Sequence, residues 1–218
     1  MGTGARVRLP FSDREEAGTL LAERLGELDF AHPIVLALPR GGVAVAVPVA
    51  ERLHCPLDVL VIRKIGYPGQ PELGVGAMAE GGEPVFDRMM LSRLGLVQED
   101  MAPVVERERR ELARRVKVYR TGRPPVEVAG KDVIVVDDGL ATGGTARAAL
   151  RAIRARGPRT LTLAVPVGAA ATVRSLEAEI ADGTVIVLAT PLDFHSVGQW
   201  YVEFEQLTDA DVLRLLGR

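Results

Sequence analysis

Val133-Ile-Val-Val-Asp137-Asp138-Gly-Leu-Ala141-Thr142-Gly143-Gly144-Thr145 reads as a buried strand, a pair of carboxylates and a turn that opens a helix. The apolar run Val133–Val136 has the composition of a parallel strand covered on both faces. Open α/β sheets bind ligands beyond the carboxyl ends of such strands. Thr142 to Thr145 supplies flexible backbone, free N–H groups and hydroxyls. It stands just before Arg147-Ala-Ala-Leu150-Arg-Ala-Ile153, whose apolar spacing is helical. Unpaired amides at a helix N-terminus attract anions. Acids beside such a cradle imply a ligand with neighbouring hydroxyls and a phosphate, which is the description of a ribose 5-phosphate. The plain alternative is an ordinary strand–helix connection in which Asp138 only caps the helix.

Two other phosphate motifs do not fit. A P-loop requires a Lys before Thr145, and Gly144 stands there. Gly74-Val-Gly76 begins a dinucleotide fingerprint, but Ala79 occupies the third glycine position.

The Asp137–Thr145 segment resembles the phosphoribosyl diphosphate (PRPP) signature of the type I phosphoribosyltransferases. The resemblance implies that Asp137 and Asp138 hold the ribose hydroxyls, and that Ala141, Thr142, Gly143, Gly144 and Thr145 wrap the 5′-phosphate. The likeness runs along nearly the whole chain, from Phe11 to Leu216. Its marks include Phe11-x-Asp13-Arg14-x-x-Ala17-Gly18, Leu38-Pro-Arg-Gly-Gly42, Arg63-Lys64-x-Gly66, Pro71-Glu72, Gly76-Ala77 and Val197-Gly-x-Trp200-Tyr201. These resemble a bacterial branch of the superfamily whose acceptor is unsettled.

The expected fold is α/β: a twisted, mostly parallel central sheet flanked by helices, in one domain over residues 1–218. Ser12-Asp-Arg-Glu15 reads as a capping box opening a helix with the stripe Ala17, Leu20, Leu21, Leu25 and Leu28. Strands are expected at Ile34–Leu38, Leu57–Ile62, Thr160–Val165 and Thr184–Ala189. Helices are expected at Val43–Leu53, bent at Pro48, and at 145–156 and 169–180. Such alternation argues for a doubly wound sheet. Residues 66–122 read as an insertion or lid. It has a mobile Gly/Pro loop at Gly66–Pro71, a hairpin turning at Gly81-Gly82, and a polar helix from Met101 to Tyr119. Residues 190–218 read as a small hood followed by a helix capped by Thr208.

Leu38-Pro39-Arg40-Gly41-Gly42 stands at a strand end, where glycines let backbone touch a ligand and a guanidinium fits phosphate oxygens. By resemblance, Arg40, Gly41 and Gly42 form the pyrophosphate loop, often built around an unusual peptide geometry. Arg63 and Lys64 are expected at the end of the next strand and on the same pyrophosphate, with Lys64 counted as catalytic beside Asp137 and Asp138. Phe194, Trp200 and Tyr201 are candidates for a hood over the acceptor; packing of the tail onto the sheet is the other reading. Where 6-oxopurine enzymes carry an Asp, this chain has Ala141, which argues against hypoxanthine or guanine. His195 is a lone histidine, more ordinarily structural than a proton carrier. The helix with Arg107, Arg109, Arg110, Arg114 and Arg115 interleaves Glu106, Glu108 and Glu111. That is the pattern of a solvated, ion-paired face; a homodimer surface lending a cation to a neighbouring site is the alternative.

Composition agrees. The 218 residues are 47% hydrophobic and 26% charged, enough for a substantial core, and the formal charge of −2 offers no basic field for nucleic acid. The single Cys55 excludes an internal disulfide framework and suits a reducing cytoplasm. No apolar stretch is long and unbroken enough to span a membrane, and Met1–Pro10 has no secretory h-region. The resemblance implies a Mg²⁺-dependent transfer of ribose 5-phosphate from PRPP to a small-molecule acceptor, with Mg²⁺ carried mainly by PRPP and Asp137 or Asp138 reaching it through water. A regulator that binds PRPP or a nucleotide without turnover, and a ribose-phosphate hydrolase or phosphorylase on the same fold, are the alternatives.

Overall fold

A computed structural model describes residues 7–180 and 183–218 of the chain. Helix α1 (Arg14–Gly26) is followed by β1 (Pro33–Ala37), α2 (Gly41–Arg52) and β2 (Leu57–Val59). A second sheet follows, made of β3 (Ile62–Tyr67), β4 (Gln70–Ala79) and β5 (Val85–Phe86), then α3 (Arg88–Arg93) and α4 (Ala102–Arg120). The chain returns through β6 (Asp132–Val136), α5 (Gly144–Arg154), β7 (Thr160–Val167), α6 (Ala170–Glu179), β8 (Gly183–Ala189) and α7 (Asp209–Leu215).

The main sheet is parallel throughout, in the order β2-β1-β6-β7-β8. The central strand β6 is buried along its full length. Its alternate residues serve opposite layers, as the period of two requires. Ile134 and Val136 join Leu21, Leu25, Val45 and Val49 of α1 and α2. Val133 and Val135 join Ala149, Leu150 and Ile153 of α5 and Leu176 of α6. This is the doubly wound α/β architecture expected from the alternation. Helix α2 continues through Pro48. Among the described residues, no helix is long and apolar enough to cross a membrane.

Several expectations are corrected. The cap of α1 is Asp13, which accepts from Glu16 N at 2.8 Å, while Glu16 Oε2 accepts from Ser12 N at 2.5 Å. The cap is therefore one residue later than Ser12, and Glu16 reaches back past it to the Ser12 N–H instead of closing a capping box with Asp13 N. That register turns Ala17, Leu21 and Leu25 inward and leaves Leu28 beyond the helix and 36% exposed. The run Leu57–Ile62 is not one strand. It leaves the parallel sheet after Val59 and enters the antiparallel sheet at Ile62. Gly66–Pro71 is not an irregular loop; it forms the tip of the β3–β4 hairpin, turning at Pro68–Gly69. Its signature of irregularity survives as register shifts on either side of Gly66, where Pro71 has no N–H to donate. The hairpin at Gly81-Gly82 is present, with Gly76 opposite Phe86 and Ala77 opposite Val85. The three-stranded sheet packs between α4 and α5.

Candidate active site

Because β1 and β6 are neighbours, the loops leaving them touch. The peptide between Pro39 and Arg40 is cis, the unusual geometry the resemblance implies. Gly41 and Gly42 then press against the acid pair. A Cβ on Gly41 would stand 1.8 Å from Asp138 Oδ2, and one on Gly42 would stand 2.7 Å from Val136 O and 2.9 Å from Asp137 Cα. Only glycine allows this approach.

Asp137 Oδ1 accepts from the Asp138 N–H at 2.9 Å. Asp138 Oδ2 accepts from Arg14 Nε at 2.9 Å, with the two side chains only 16% and 11% exposed. The Asp138 carbonyl accepts from the Tyr201 hydroxyl at 2.5 Å. Burial and the neighbouring Asp138 push Asp137 well above the usual carboxylate range. Burial also raises Asp138, with Arg14 opposing.

The phosphate-type loop lies directly beyond. Leu140 N donates to Val167 O, and Thr172 Oγ1 donates to Ala141 O at 2.6 Å. Gly143 adopts the left-handed conformation (φ 76°) and is the N-cap of α5, with no side-chain cap. The amides of the first helical turn have no intrahelical acceptors, and Thr142 and Gly144 are exposed. Arg147 braces the loop from below. It donates to Thr142 O and Ser175 Oγ, each at 2.8 Å, and pairs with Glu179 at 2.9 Å.

Arg63 and Lys64 do not stand at a parallel-strand end. They are adjacent on β3, so their side chains leave opposite faces. Arg63 turns to α4 and donates to Glu108 Oε2 at 2.9 and 2.6 Å. Lys64 turns the other way and lines a cavity of about 520 Å³ with Gly74, Thr142, Gly144, Arg147 and Ser175. Arg40 is drawn to α7, with Nη1 3.9 Å from Asp209, which also accepts from the Tyr119 hydroxyl.

The hood candidates divide. Phe194 and Trp200 stack on each other at 6.4 Å and are half-buried. Tyr201 is turned inward at 5% exposure, packed on Phe11 and Phe204, so its role is internal. The short turn Val197–Trp200 closes on the acid loop, where a Cβ on Gly139 would meet Val197 Cγ1 at 2.5 Å. His195 is exposed. The Arg-rich helix is laced with pairs: Arg114 and Arg115 to Glu111, Arg110 to Glu106, Arg109 to Glu83. Arg14 and Thr172 were not candidates. Arg14 stands within a helix-start signal, and Thr172 lies on a distant helix; neither has a local mark of its destination.

Residues 14–195 match the family model described as "Phosphoribosyl transferase domain". The chain belongs to the phosphoribosyltransferase family. It is 44% identical over 95% of its length to a Mycobacterium tuberculosis protein provisionally named as a phosphoribosyl transferase, and spans 46% of that protein's length. A Streptomyces coelicolor uracil phosphoribosyltransferase is 34% identical over 69% of this chain and 67% of its own length. The crystal structure of TT1426 from Thermus thermophilus is similar at TM-score 0.83 and 42% identity, covering 95% of this chain and 98% of that one.

Proposed function

We propose that this phosphoribosyltransferase-family domain transfers ribose 5-phosphate from PRPP to a nitrogenous base or related acceptor, releasing pyrophosphate with Mg²⁺, in nucleotide salvage or a related pathway. The observation that carries the reading is the Asp137–Asp138 pair, set between the close-packed Gly41-Gly42 turn and the uncapped N-terminus of α5. In this reading Thr142–Thr145 binds the 5′-phosphate through helix-terminal amides and hydroxyls. Asp137 and Asp138 accept from the ribose hydroxyls. Backbone at Gly41 and Gly42 lies along the pyrophosphate, and Lys64 approaches from the hairpin side.

Among the described residues, no three His, Cys, Asp or Glu gather into a metal cage. The donor set that is present suits Mg²⁺, which takes one or two carboxylates with phosphate oxygens and keeps several waters. Asp137 and Asp138 would hold it through water, and when bound it neutralises pyrophosphate charge. As the C1–oxygen bond lengthens, positive charge grows on the ribose, and the acid pair stabilises it. Negative charge grows on the departing pyrophosphate, and Lys64 and the loop amides stabilise that. The base nitrogen enters from the opposite face, on the hood side, where Phe194 and Trp200 are the aromatic surfaces. Ala141 leaves the acceptor pocket without the acid used by 6-oxopurine enzymes.

The test is a panel of purines, pyrimidines and related amines with PRPP and Mg²⁺, following pyrophosphate release. One acceptor supporting turnover is the expected result. Tight PRPP binding with no release for any acceptor would move the protein to the regulator reading, and no binding of PRPP or ribose 5-phosphate would reject both.

A further inference from the structure

The ribose, phosphate and pyrophosphate assignments make no use of the Phe11-x-Asp13-Arg14-x-x-Ala17-Gly18 stretch. The fold nevertheless carries one of its side chains, Arg14, to the acid pair. Asp13 caps α1 and so fixes where the first turn points. Arg14, the first residue of that turn, reaches across to the end of β6. Its Nε donates to Asp138 Oδ2 at 2.9 Å, and its Nη1 donates to the Glu205 carbonyl at 2.9 Å. Its guanidinium carbon lies 3.8 Å from the centroid of Phe204, a stacked placement that suits Arg and not Lys. Phe11, three residues earlier, packs on Tyr201, whose hydroxyl holds the Asp138 carbonyl.

The junction has no slack. The Cβ that Gly41 lacks would fall 1.8 Å from Asp138 Oδ2 and 3.0 Å from Arg14 Nε. Asp138 is therefore set by the α1 start, the glycine turn and the tail together. A flexible carboxylate that must meet a ribose hydroxyl loses orientational freedom on binding; one already held by a planar guanidinium has less to lose. Building on the PRPP reading above, we propose that Arg14 is a positioning residue for ribose recognition: it holds Asp138 Oδ2, leaves the other carboxylate oxygen for a ribose hydroxyl, and ties that acid to the tail at Phe204–Glu205.

The experiment is calorimetry of ribose 5-phosphate, 2-deoxyribose 5-phosphate and 3-deoxyribose 5-phosphate with Mg²⁺. The proteins are wild type, Arg14→Gln, Arg14→Lys, Asp138→Asn and the double variant Arg14→Gln/Asp138→Asn. Wild type should favour the full ribose over one deoxy analogue by about tenfold or more, the worth of a hydrogen bond to a charged group. Arg14→Gln should shrink that preference to within about twofold, Arg14→Lys should restore part of it, and the double variant should bind no worse than Asp138→Asn alone. A purely structural Arg14 would weaken all three ligands by one factor and keep the ratios; that result, or unchanged affinities, overturns the proposal. If Arg14→Gln does not fold, Arg14→Lys carries the comparison, and full wild-type discrimination in it overturns the proposal as well. Wild type binding none of the three sugars would reject the PRPP reading itself. Wild-type discrimination untouched by Arg14 variants would reject only the positioning role.

Discussion

Gly41→Ala places a methyl group where Asp138 now rests. The added Cβ would stand 1.8 Å from Oδ2, 2.5 Å from Cγ and 3.0 Å from Arg14 Nε. The obstacle is the end of a side chain, so Asp138 should rotate away while β6 stays in place. What is lost is the hydrogen bond from Arg14, worth roughly 1.5–3 kcal/mol for a charged pair. Exposures of 11% and 16% leave little room for water to replace it. At roughly 2–4 °C per kcal/mol for a chain of this size, the melting temperature should fall by about 3–12 °C. If the displaced acid also loses its ribose hydroxyl, affinity for ribose 5-phosphate should drop about 10- to 150-fold. Differential scanning calorimetry and titration calorimetry read the two effects. Gly82→Ala is the control, because its Cβ would meet nothing nearer than Ala79 O at 3.6 Å. Gly41→Ala in an Arg14→Gln background should add little, since the bond it breaks is already gone. A Gly41→Ala protein that melts within about 1 °C of wild type and binds ribose 5-phosphate with unchanged affinity would refute the reasoning.

Gly42→Ala should be worse than Gly41→Ala: its Cβ would meet backbone of the central strand, Val136 O at 2.7 Å and Asp137 Cα at 2.9 Å, and overpacking of that kind costs on the order of 1–3 kcal/mol or more; urea midpoints of the two variants give the order. Arg120→Ala should destabilise by about 3–5 kcal/mol, because it takes from the buried Glu80 carboxylate its Arg120 guanidinium and leaves Asp58 to Arg218; the unfolding free energy from urea titration checks it. Burial alone would raise the Asp132 carboxyl, but Arg159, the His32 N–H and the Thr160 hydroxyl outweigh it and hold it at about 2, against 3.8 unperturbed. A lowered folded-state value means stability that is present above pH 3.8 and lost as the pH falls toward about 2; Arg159→Met should flatten that acid slope in urea titrations run between those limits. Lys64→Ala should reduce pyrophosphate release far more than it reduces ribose 5-phosphate affinity, and equal losses in single-turnover and calorimetric measurements would remove Lys64 from the leaving-group side.

The sequence by itself determined the elements that local chemistry specifies. Val133–Val136 read as a buried strand by composition, and an acid pair followed by a small-residue turn read as the ligand-binding end of a parallel strand. The helix–strand alternation after Thr145 likewise sufficed for the doubly wound sheet. Local chemistry did not reveal where the Leu57–Ile62 run divides between two sheets, since no Gly, Pro or polar residue stands between Val59 and Ile62 and only the neighbour strand differs: Val59 pairs with Ala37, Ile62 with Ala79. Nor did it show that Arg63 and Lys64 part company, because that depends on α4 lying on one face of β3 and α5 on the other. For Tyr201 the sequence left two readings open, hood or tail packing, and the contact with Phe11, 190 positions away, makes it internal packing. Arg14 is the sharpest case. Its sequence neighbourhood describes a helix start, and its partner Asp138 is 124 residues distant. A salt bridge across that separation leaves no local period or spacing; it exists because α1 packs on the face of the sheet that brings its first turn to the end of β6, and only the tertiary structure decides that.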